Sequence, residues 1–439
     1  MSTYLAAGGG RARRLADDLL GAAPSESGAF ALLHAVTRGS ETRLVLGDPI
    51  DVGISWEQQG PDVLEPTGAM ISAAVSAAQR RRSGLAFIHT HPLDAAPLQL
   101  SPIDMHTTRR LGAAFAELLD GPFVSVVIGR AGWAGVEYQK GRLTPLRRIC
   151  IAGRRLEIHG DVGTHEHEAL DDRQQRALGS SGNALLRGLR VGVVGVGGLG
   201  APLAETLARM GVGSLTLIDD DMLELSNVRR VFAVTRDDAE RARSKVEAVA
   251  AGLGRLGVGT SVRAVHGDIR NPQIQEQLLN CDVLFSATDT HSSRAAMTEL
   301  AVRGCCVMID LGVRVGIRGG GELDSLLFER RIQLPDGPCL WCWGRLDAHR
   351  IRVELMSAFE RDALLAEGYV TGIAGEPEPS VAALTVCAAG AGAAALLGLV
   401  SAGLDRAPLG SSFELLRSEA YSLDRDHPDP ECICARWRT

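Results

Sequence analysis

Three groups of side chains in this sequence are spaced for chemistry. In Leu85-Ala-Phe-Ile-His89-Thr-His91-Pro92 an apolar, strand-like run ends in two histidines. Positions i and i+2 of a strand point to the same side, so both imidazoles can reach one ion. Asp104, in Ser101-Pro-Ile-Asp104, offers a third ligand, and a zinc ion on these three keeps its fourth position for water. The same Ser101-x-x-Asp104 spacing also reads as a helix-capping box. In the second group, the apolar run from Arg190 enters Gly195-x-Gly197-Gly198-x-Gly200. A helix-like run follows, and Leu215-Thr-Leu-Ile ends in Asp219, 19 residues beyond the last glycine, with Asp221 close behind. This is the βαβ nucleotide-binding arrangement: the glycines let backbone N–H groups approach a phosphate at a helix N-terminus, and the acid suits a ribose hydroxyl. In the third group, Cys339-x-x-Cys342 and Cys432-x-Cys434 supply four thiols for a structural zinc, with His427 as an alternative ligand.

The elements that must position these groups follow from the pattern around them. At 439 residues the chain has room for two or three domains. Residues 1–155 read as a small α/β domain, with strands over Ala29 to Val36, Thr42 to Leu46 and Phe123 to Ile128, and a helix from Pro66 to Arg82. Residues 156–170 are polar and read as a linker, although His165-Glu-His-Glu168 within them could recruit metal. Residues 171–439 form a second α/β domain. Val381 to Leu404 carries no charge and is long enough to span a bilayer, but its Ala-Gly composition reads better as a buried helix beside a dimer interface. Cys387 within it, and Cys305-Cys306, are expected in the core.

A net charge of -7 lacks the basic excess of a nucleic-acid binder, and the N-terminus has no apolar stretch after its charges, so no nucleic acid, membrane or signal peptide is expected. The expected location is the cytoplasm. Only Lys140 and Lys245 are lysines among 46 basic residues, a bias that suits a GC-rich bacterial genome. Against that background the retained Lys245 suggests a need for a compact point charge.

The first group resembles the JAMM (MPN/JAB) metalloprotease motif in His89-x-His91-Pro92 and Ser101-x-x-Asp104, with Pro24-Ser-Glu26 similar to the upstream segment that carries that family's glutamate. The resemblance implies a catalytic zinc on His89, His91 and Asp104, with Glu26 as general base and Ser101 stabilising the oxyanion. It further implies cleavage of amide or isopeptide bonds after the C-terminal glycine of ubiquitin-like proteins. Twelve residues separate His91 from Asp104, so the loop between them must bulge.

The second domain resembles the ThiF/MoeB/HesA superfamily, which includes the ubiquitin-activating enzymes. The resemblance rests on Gly195, Gly197, Gly198 and Gly200, the strand end at Asp219 and Asp221, Ser226-Asn227-Val-Arg229-Arg230, Lys245, Asp289 and Arg294. It implies that Asp219 holds the ribose of ATP, that Asn227, Arg230 and Lys245 engage the triphosphate, and that Asp289 coordinates Mg2+. Arg230 is preferred to Arg229 because its offset of three keeps it on the same helical face as Asn227. Arg173 is similar to an arginine that relatives insert into a neighbouring subunit's site, which implies a homodimer; it reads equally as a solvated arginine. The segment from Gly344 to Ser380, where activating enzymes carry a crossover loop, has no cysteine for a thioester.

The expected fold is therefore α/β, a JAB/MPN-like domain followed by a Rossmann-like ThiF domain. The expected function is ATP-dependent adenylation of the C-terminal glycine of a ubiquitin-like or sulfur-carrier protein, coupled to zinc-dependent processing of that tail in a bacterial modification pathway. A downstream conjugating enzyme or a sulfur donor could accept the product. Sulfur-carrier or peptide adenylation in cofactor or natural-product synthesis, and a nucleotide-binding protein with degenerate sites, stay open as alternatives.

Overall fold

The computed structural model describes residues 2–38, 41–51, 53, 56–94, 98–161, 170, 172–319, 321–357, 359–360, 379–401, 404, 407–423 and 427–437. The chain divides into two compact units, the first from residues 1–162 with 303–305 and 438–439, the second from residues 163–302 and 306–437.

The first unit is built on a nine-stranded sheet. Its elements are β1 (Ser2–Gly8), α1 (Gly9–Leu20), β2 (Gly28–Arg38), β3 (Glu41–Pro49), β4 (Trp56–Gln59), β5 (Leu64–Pro66), α2 (Gly68–Arg81), β6 (Gly84–Thr90), α3 (Pro102–Leu118), β7 (Phe123–Gly129), β8 (Gly132–Gln139), β9 (Arg142–Pro145), β10 (Arg148–Ala152) and β11 (Leu156–Gly160). The sheet order is β11-β10-β1-β3-β2-β6-β7-β8-β9, and β4 pairs with β5 as a separate hairpin. Strand alternation sorts the apolar residues onto two faces. Ala86 and Ile88 of β6 join Leu5, Leu15, Leu19 and Leu33 on the face that α1 covers. Leu85 and Phe87 join Phe30, Met70, Ala74, Leu111 and Phe115 on the face that α2 and α3 cover. His89 and His91 continue this second row, on the side where the N-terminus of α3 delivers Asp104.

This unit corrects the expected linker. Residues 156–160 are not linker but the edge strand β11, antiparallel to β10, with Ile149 opposite His159 and Ala152 opposite Leu156. The His165-Glu-His-Glu168 run lies outside the described residues.

The second unit contains α4 (Asp172–Gly188), β12 (Arg190–Val194), α5 (Gly200–Arg209), β13 (Ser214–Asp219), α6 (Arg236–Glu240), α7 (Lys245–Gly254), β14 (Ser261–His266), α8 (Pro272–Gln275), β15 (Val283–Ser286), α9 (His291–Arg303), β16 (Val307–Arg318), β17 (Glu322–Gln333), α10 (Ala348–Glu354), α11 (Ala382–Val400), β18 (Gly410–Glu414) and β19 (Glu419–Leu423). Its sheet runs β14-β13-β12-β15-β16-β17-β18-β19. The pairs β12–β13, β12–β15, β13–β14 and β15–β16 are parallel, and β16 to β19 form an antiparallel extension. This is a Rossmann-like doubly wound sheet. The strand order reverses at β12, and the crevice at the carboxyl ends of such strands is where ligands bind.

Helix α11 is apolar and 19 residues long, enough by length and composition to cross a membrane. Here it packs on α5, β16 and β17 and buries Leu384, Leu396 and Leu399 completely. The small residues explain the close packing: a Cβ at Gly392 would come 2.7 Å from a Leu311 methyl. Cys387, expected in the core, is instead exposed on the outer side of this helix, while Cys305 and Cys306 are buried. Truncating Leu396 to Ala would leave a cavity in this packing, at a cost of roughly 2–5 kcal/mol. The expected readout is a lower denaturant midpoint for the second unit with the first unit's transition unmoved.

Candidate functional site

The glycine loop leaves β12 and opens on a cavity of about 730 Å³ at the carboxyl ends of β12, β13 and β15. Two glycines shape the loop by close approach. Gly195 sits at φ +84°, a conformation disfavoured for side-chain-bearing residues, and a Cβ there would lie 2.6 Å from the Ala287 carbonyl oxygen. A Cβ at Gly200 would come 1.8 Å from the Gly195 carbonyl oxygen. Gly197 is different: a Cβ there would meet nothing within 4 Å, and the residue lines the cavity. Gly198 is covered by Arg230, whose Cδ would be 3.3 Å from an added Cβ.

Asp219 ends β13, and both its carboxylate oxygens are engaged. Oδ2 accepts the Val196 N–H at 2.7 Å and Oδ1 accepts the Asp221 N–H at 2.9 Å. Burial pushes the carboxyl up, against the pull of Lys245 and of these two amides. Asp219 therefore ties the glycine loop to the strand end while lining the cavity. Lys245 begins α7 and is buried, and its Nζ donates to Asp221 Oδ2 at 2.5 Å. Asp289 follows β15, lines the cavity and is exposed, with no ion-pair partner among the described residues.

Of the residues expected to meet a nucleotide, the structure gathers Gly195, Gly197, Gly198, Asp219, Asp221, Arg230, Lys245 and Asp289 around one cavity. Arg230 lines it and Arg229 is exposed elsewhere. Asn227 is not among them. It is buried, its Oδ1 accepts the Glu224 N–H at 3.3 Å, its Nδ2 donates to Ser226 Oγ at 3.2 Å, and it does not line the cavity. Its short side chain caps its own turn, as Asn commonly does. Gly200 likewise shapes the loop without lining the cavity. Arg173 lies on α4, exposed and away from its own chain's cavity.

Sequence reasoning missed several cations. Arg270, Arg314, Arg345 and Arg350 all line the cavity. Arg270 pairs with Asp268 at 2.5 Å just beyond β14, and the rule that ligands bind at carboxyl strand ends could have found it. Arg345 pairs with Glu329, and Arg294 with Asp310 at 3.3 Å, where Asp310 also accepts the Ser286 hydroxyl at 2.8 Å. Arg314 and Arg345 come from the antiparallel extension and the loop after it, where no motif marks them.

The four cysteines form a second cluster in this unit. Cys339 Sγ lies 3.7 Å from Cys342 Sγ and 3.6 Å from Cys432 Sγ, and Cys342 Sγ lies 3.7 Å from Cys434 Sγ. Four thiolates at a zinc–sulfur distance of ~2.3 Å in tetrahedral geometry stand about 3.8 Å apart, so the donor set fits zinc. Hydrogen bonds, first from Cys434, push the Cys339 thiol down to about 5, whereas burial pushes Cys432 up to about 11. His427 is exposed and no fourth ligand is lacking.

In the first unit, His89, His91 and Asp104 bring three donor atoms within 4.8 Å of one another. His89 Nε2 is 3.1 Å from Asp104 Oδ1 and His91 Nε2 is 3.1 Å from Asp104 Oδ2. The capping reading of Ser101-x-x-Asp104 is what the hydrogen bonds show. Ser101 caps α3, its Oγ accepting the Asp104 N–H at 3.2 Å, while Asp104 Oδ2 accepts the Ser101 N–H at 2.6 Å. Glu26 Oε1 is 3.6 Å from His91 Nε2, and its backbone is clamped by the β4–β5 hairpin: its N–H donates to the Gly60 carbonyl at 2.8 Å and its carbonyl accepts Gln59 Nε2 at 2.9 Å. Burial pushes the Glu26 carboxyl up to about 7, with His91 opposing. Burial pulls His91 down, but Asp104, Asp94 and Glu26 outweigh it and hold the ring up near 9. Asp104 is held well below the usual carboxylate range; burial opposes this, and the two histidines and Ser101 prevail. Nδ1 of His89 and Oε2 of Glu26 are buried without a hydrogen-bond partner, while His89 Nε2 faces Asp104 Oδ1. Such orphaned groups at a His–His–Asp cluster are what a metal ion and its water would satisfy.

The model of the ThiF family matches residues 172–401, just over half of the chain. Among curated proteins the chain is similar to the SAMP-activating enzyme E1 of Haloferax volcanii, 31% identical over 165 residues that cover 38% of this chain and 57% of that protein. It is also similar to the molybdopterin-synthase adenylyltransferase of Escherichia coli, 29% identical over 173 residues, 39% of this chain and 65% of that protein. The chain thus spans less than two thirds of the length of either relative. Among solved structures, that of E. coli MccB superposes with a TM-score of 0.48 at 17% identity, covering 63% of this chain and 75% of that one.

The thiol cluster generates a direct expectation. Cys339→Ser should lower the zinc content of the purified chain by one equivalent, as read by metal analysis, and lower the melting temperature of the second unit. Unchanged zinc content would show that these thiols do not hold the ion.

Proposed function

The chain belongs to the ThiF family, and from that premise we propose that it adenylates the C-terminal glycine carboxylate of a ubiquitin-like or sulfur-carrier protein. The observation that carries this reading is the single cavity lined by Gly197, Asp219, Arg230, Lys245 and Asp289. The names of its relatives, an activating enzyme E1 and an adenylyltransferase, support it. A carboxylate and ATP repel each other, so the reaction needs cations at the α-phosphate and at the departing pyrophosphate. Arg230 over Gly198 and Lys245 at the start of α7 supply them. Asp221 holds the Lys245 ammonium at the cavity edge in the meantime, which stabilises a buried cation that would otherwise be costly. The substrate carboxylate attacks the α-phosphorus, the bond to the bridging oxygen breaks, and pyrophosphate leaves, yielding the acyl-adenylate. Asp219 orients the ribose, and Asp289, open on the cavity, is the residue that would hold Mg2+. In this reading the chain works in the cytoplasm as a homodimer, with Arg173 reaching the partner's cavity. A downstream conjugating enzyme or sulfur donor takes the product.

In the same reading the first unit is a JAMM-type zinc peptidase that frees the glycine terminus the second unit activates. The buried, orphaned atoms of His89 and Glu26 favour it. Zinc on His89, His91 and Asp104 would supply Lewis-acid polarisation of the scissile carbonyl and a more acidic water. Glu26 takes the proton from the attacking water and passes it to the leaving amine. A base raised to about 7 suits that double duty near neutral pH. The Ser101 oxygen accepts the Asp104 N–H, leaving its own proton free to stabilise the developing oxyanion. Adenylation of a short peptide in natural-product assembly remains the second reading for the same cavity.

Both activities can be read in one experiment, intact mass spectrometry of Gly-terminated β-grasp proteins after incubation with the enzyme and Mg-ATP, alongside ATP–pyrophosphate exchange. Lys245→Ala should lower exchange by about 10²-fold or more, the scale of removing one charge-stabilising donor. Glu26→Gln should abolish tail cleavage and leave exchange intact. No exchange with any Gly-terminated partner would sink the adenylation reading, and cleavage insensitive to Glu26→Gln would sink the peptidase reading.

A further inference from the structure

We propose that Asp94 is a positioning residue for the first unit's metal site, fixing which nitrogen of His91 is free to bind the ion. The inference rests on the reading of His89, His91 and Asp104 as zinc ligands. The Asp94 carboxylate comes within 2.9 Å of His91 Nδ1. It is brought there by a turn in which the Asp94 N–H donates to the His91 carbonyl at 3.4 Å, while the His91 N–H donates to the Ile128 carbonyl at 2.9 Å and anchors the residue to β7.

The two imidazoles are held by different means. His89 is 1% exposed and stacks on Phe87, ring centroids 5.5 Å apart and planes 17° from parallel, and its Nδ1 has no hydrogen-bond partner. Packing orients it on that side, and Asp104 Oδ1 faces its Nε2 at 3.1 Å. His91 stands at the rim, with Nε2 turned inward to Asp104 and Glu26 and Nδ1 turned outward to Asp94.

A neutral imidazole carries one proton, and the nitrogen that carries it cannot ligate a metal. Two carboxylates, Asp104 and Glu26, sit on the inner side of His91 and both attract that proton to Nε2, the nitrogen the metal needs. A carboxylate on the opposite side is what tips the balance, because it accepts the Nδ1 proton and leaves the Nε2 lone pair free. Outer partners of this kind fix tautomer and ring orientation, and losing one costs about 10- to 100-fold in metal affinity. His89 has no carboxylate at its Nδ1; burial and stacking on Phe87 fix the orientation of its ring.

The test uses the purified full chain and zinc itself. Metal analysis of the wild type should give two zinc ions, and His89→Ala one, the ion left on the four cysteines. Chelator competition for the histidine-held ion should then show Asp94→Ala weakened by about 10- to 100-fold. Asp94→Asn should fall between the two, since its amide oxygen still accepts a proton without the charge. In the metal-free chain, at a pH where the His91 ring is neutral, nitrogen NMR should show the proton on Nδ1, and Asp94→Ala should move it to Nε2; a residue needed only to shape the loop would not move it. Zinc affinity for Asp94→Ala within twofold of wild type, with unchanged circular dichroism, would overturn the positioning role. Equal zinc content in wild type and His89→Ala would instead remove the zinc reading on which it rests.

Discussion

An alanine at position 200 would put its Cβ 1.8 Å from the Gly195 carbonyl oxygen. That contact is the constraint on which the second unit's site depends. It forces the chain to leave β12 and enter α5 within six residues, in a loop too tight for side chains at its crossing points. Because the loop is tight, the Val196 amide reaches Asp219 at the end of the neighbouring strand. Two parallel strands are thereby locked in register at their carboxyl ends, and Gly197, with open space where a Cβ would be, lines the cavity. The cavity is a consequence of backbone geometry first; the charges are added around it.

Those charges obey a second constraint. The cavity wall gathers Arg230, Lys245, Arg270, Arg294, Arg314, Arg345 and Arg350, and cations so close together destabilise one another unless acids are interleaved. The structure interleaves them: Lys245 with Asp221, Arg270 with Asp268, Arg294 with Asp310 and Arg345 with Glu329. Four of the seven cations are thus compensated by a carboxylate, which holds the wall together. Asp219, Asp220 and Asp289 line the wall as well, so its cations and acids nearly balance until a ligand or metal redistributes the pairs. Each pair is also a choice for the ligand: an arriving phosphate must draw Lys245 away from Asp221, exchanging one anionic partner for another without exposing a bare ammonium to a low-dielectric pocket.

Much of this was legible in the sequence wherever the physics is local. The glycine loop, the acid at the end of β13, and the histidines on β6 are set by backbone conformation and by period-2 alternation, both of which act over a few residues. The alternation also shows why His89 and His91 meet Asp104: they continue the Leu85 and Phe87 row, on the face that α3 covers. Where the outcome depends on a competition between local and distant partners, the sequence misled. Asn227, which the resemblance assigns to the triphosphate, has its amide bonded within its own turn. Residues 156–160 are polar enough to read as linker, yet an edge strand with one side to solvent tolerates that composition. Cys387 lies in an apolar run, but a helix packed on one side exposes the other.

Arg314, Arg345 and Arg350 were illegible for a further reason: they reach the cavity through the pairing of β16 with β17 and the chain that follows, contacts of long sequence separation that no motif encodes. The same holds for Asp94. In the sequence it is one acid in a loop of twelve residues between His91 and Asp104, and its role is visible only once the turn folds its carboxylate back onto the ring. The first unit therefore divides its labour by distance from the core. His89, sealed behind Phe87, is oriented by packing, which is strong where water is excluded; His91, at the rim, is oriented by a directional hydrogen bond to a carboxylate, which keeps its aim where packing contacts run out.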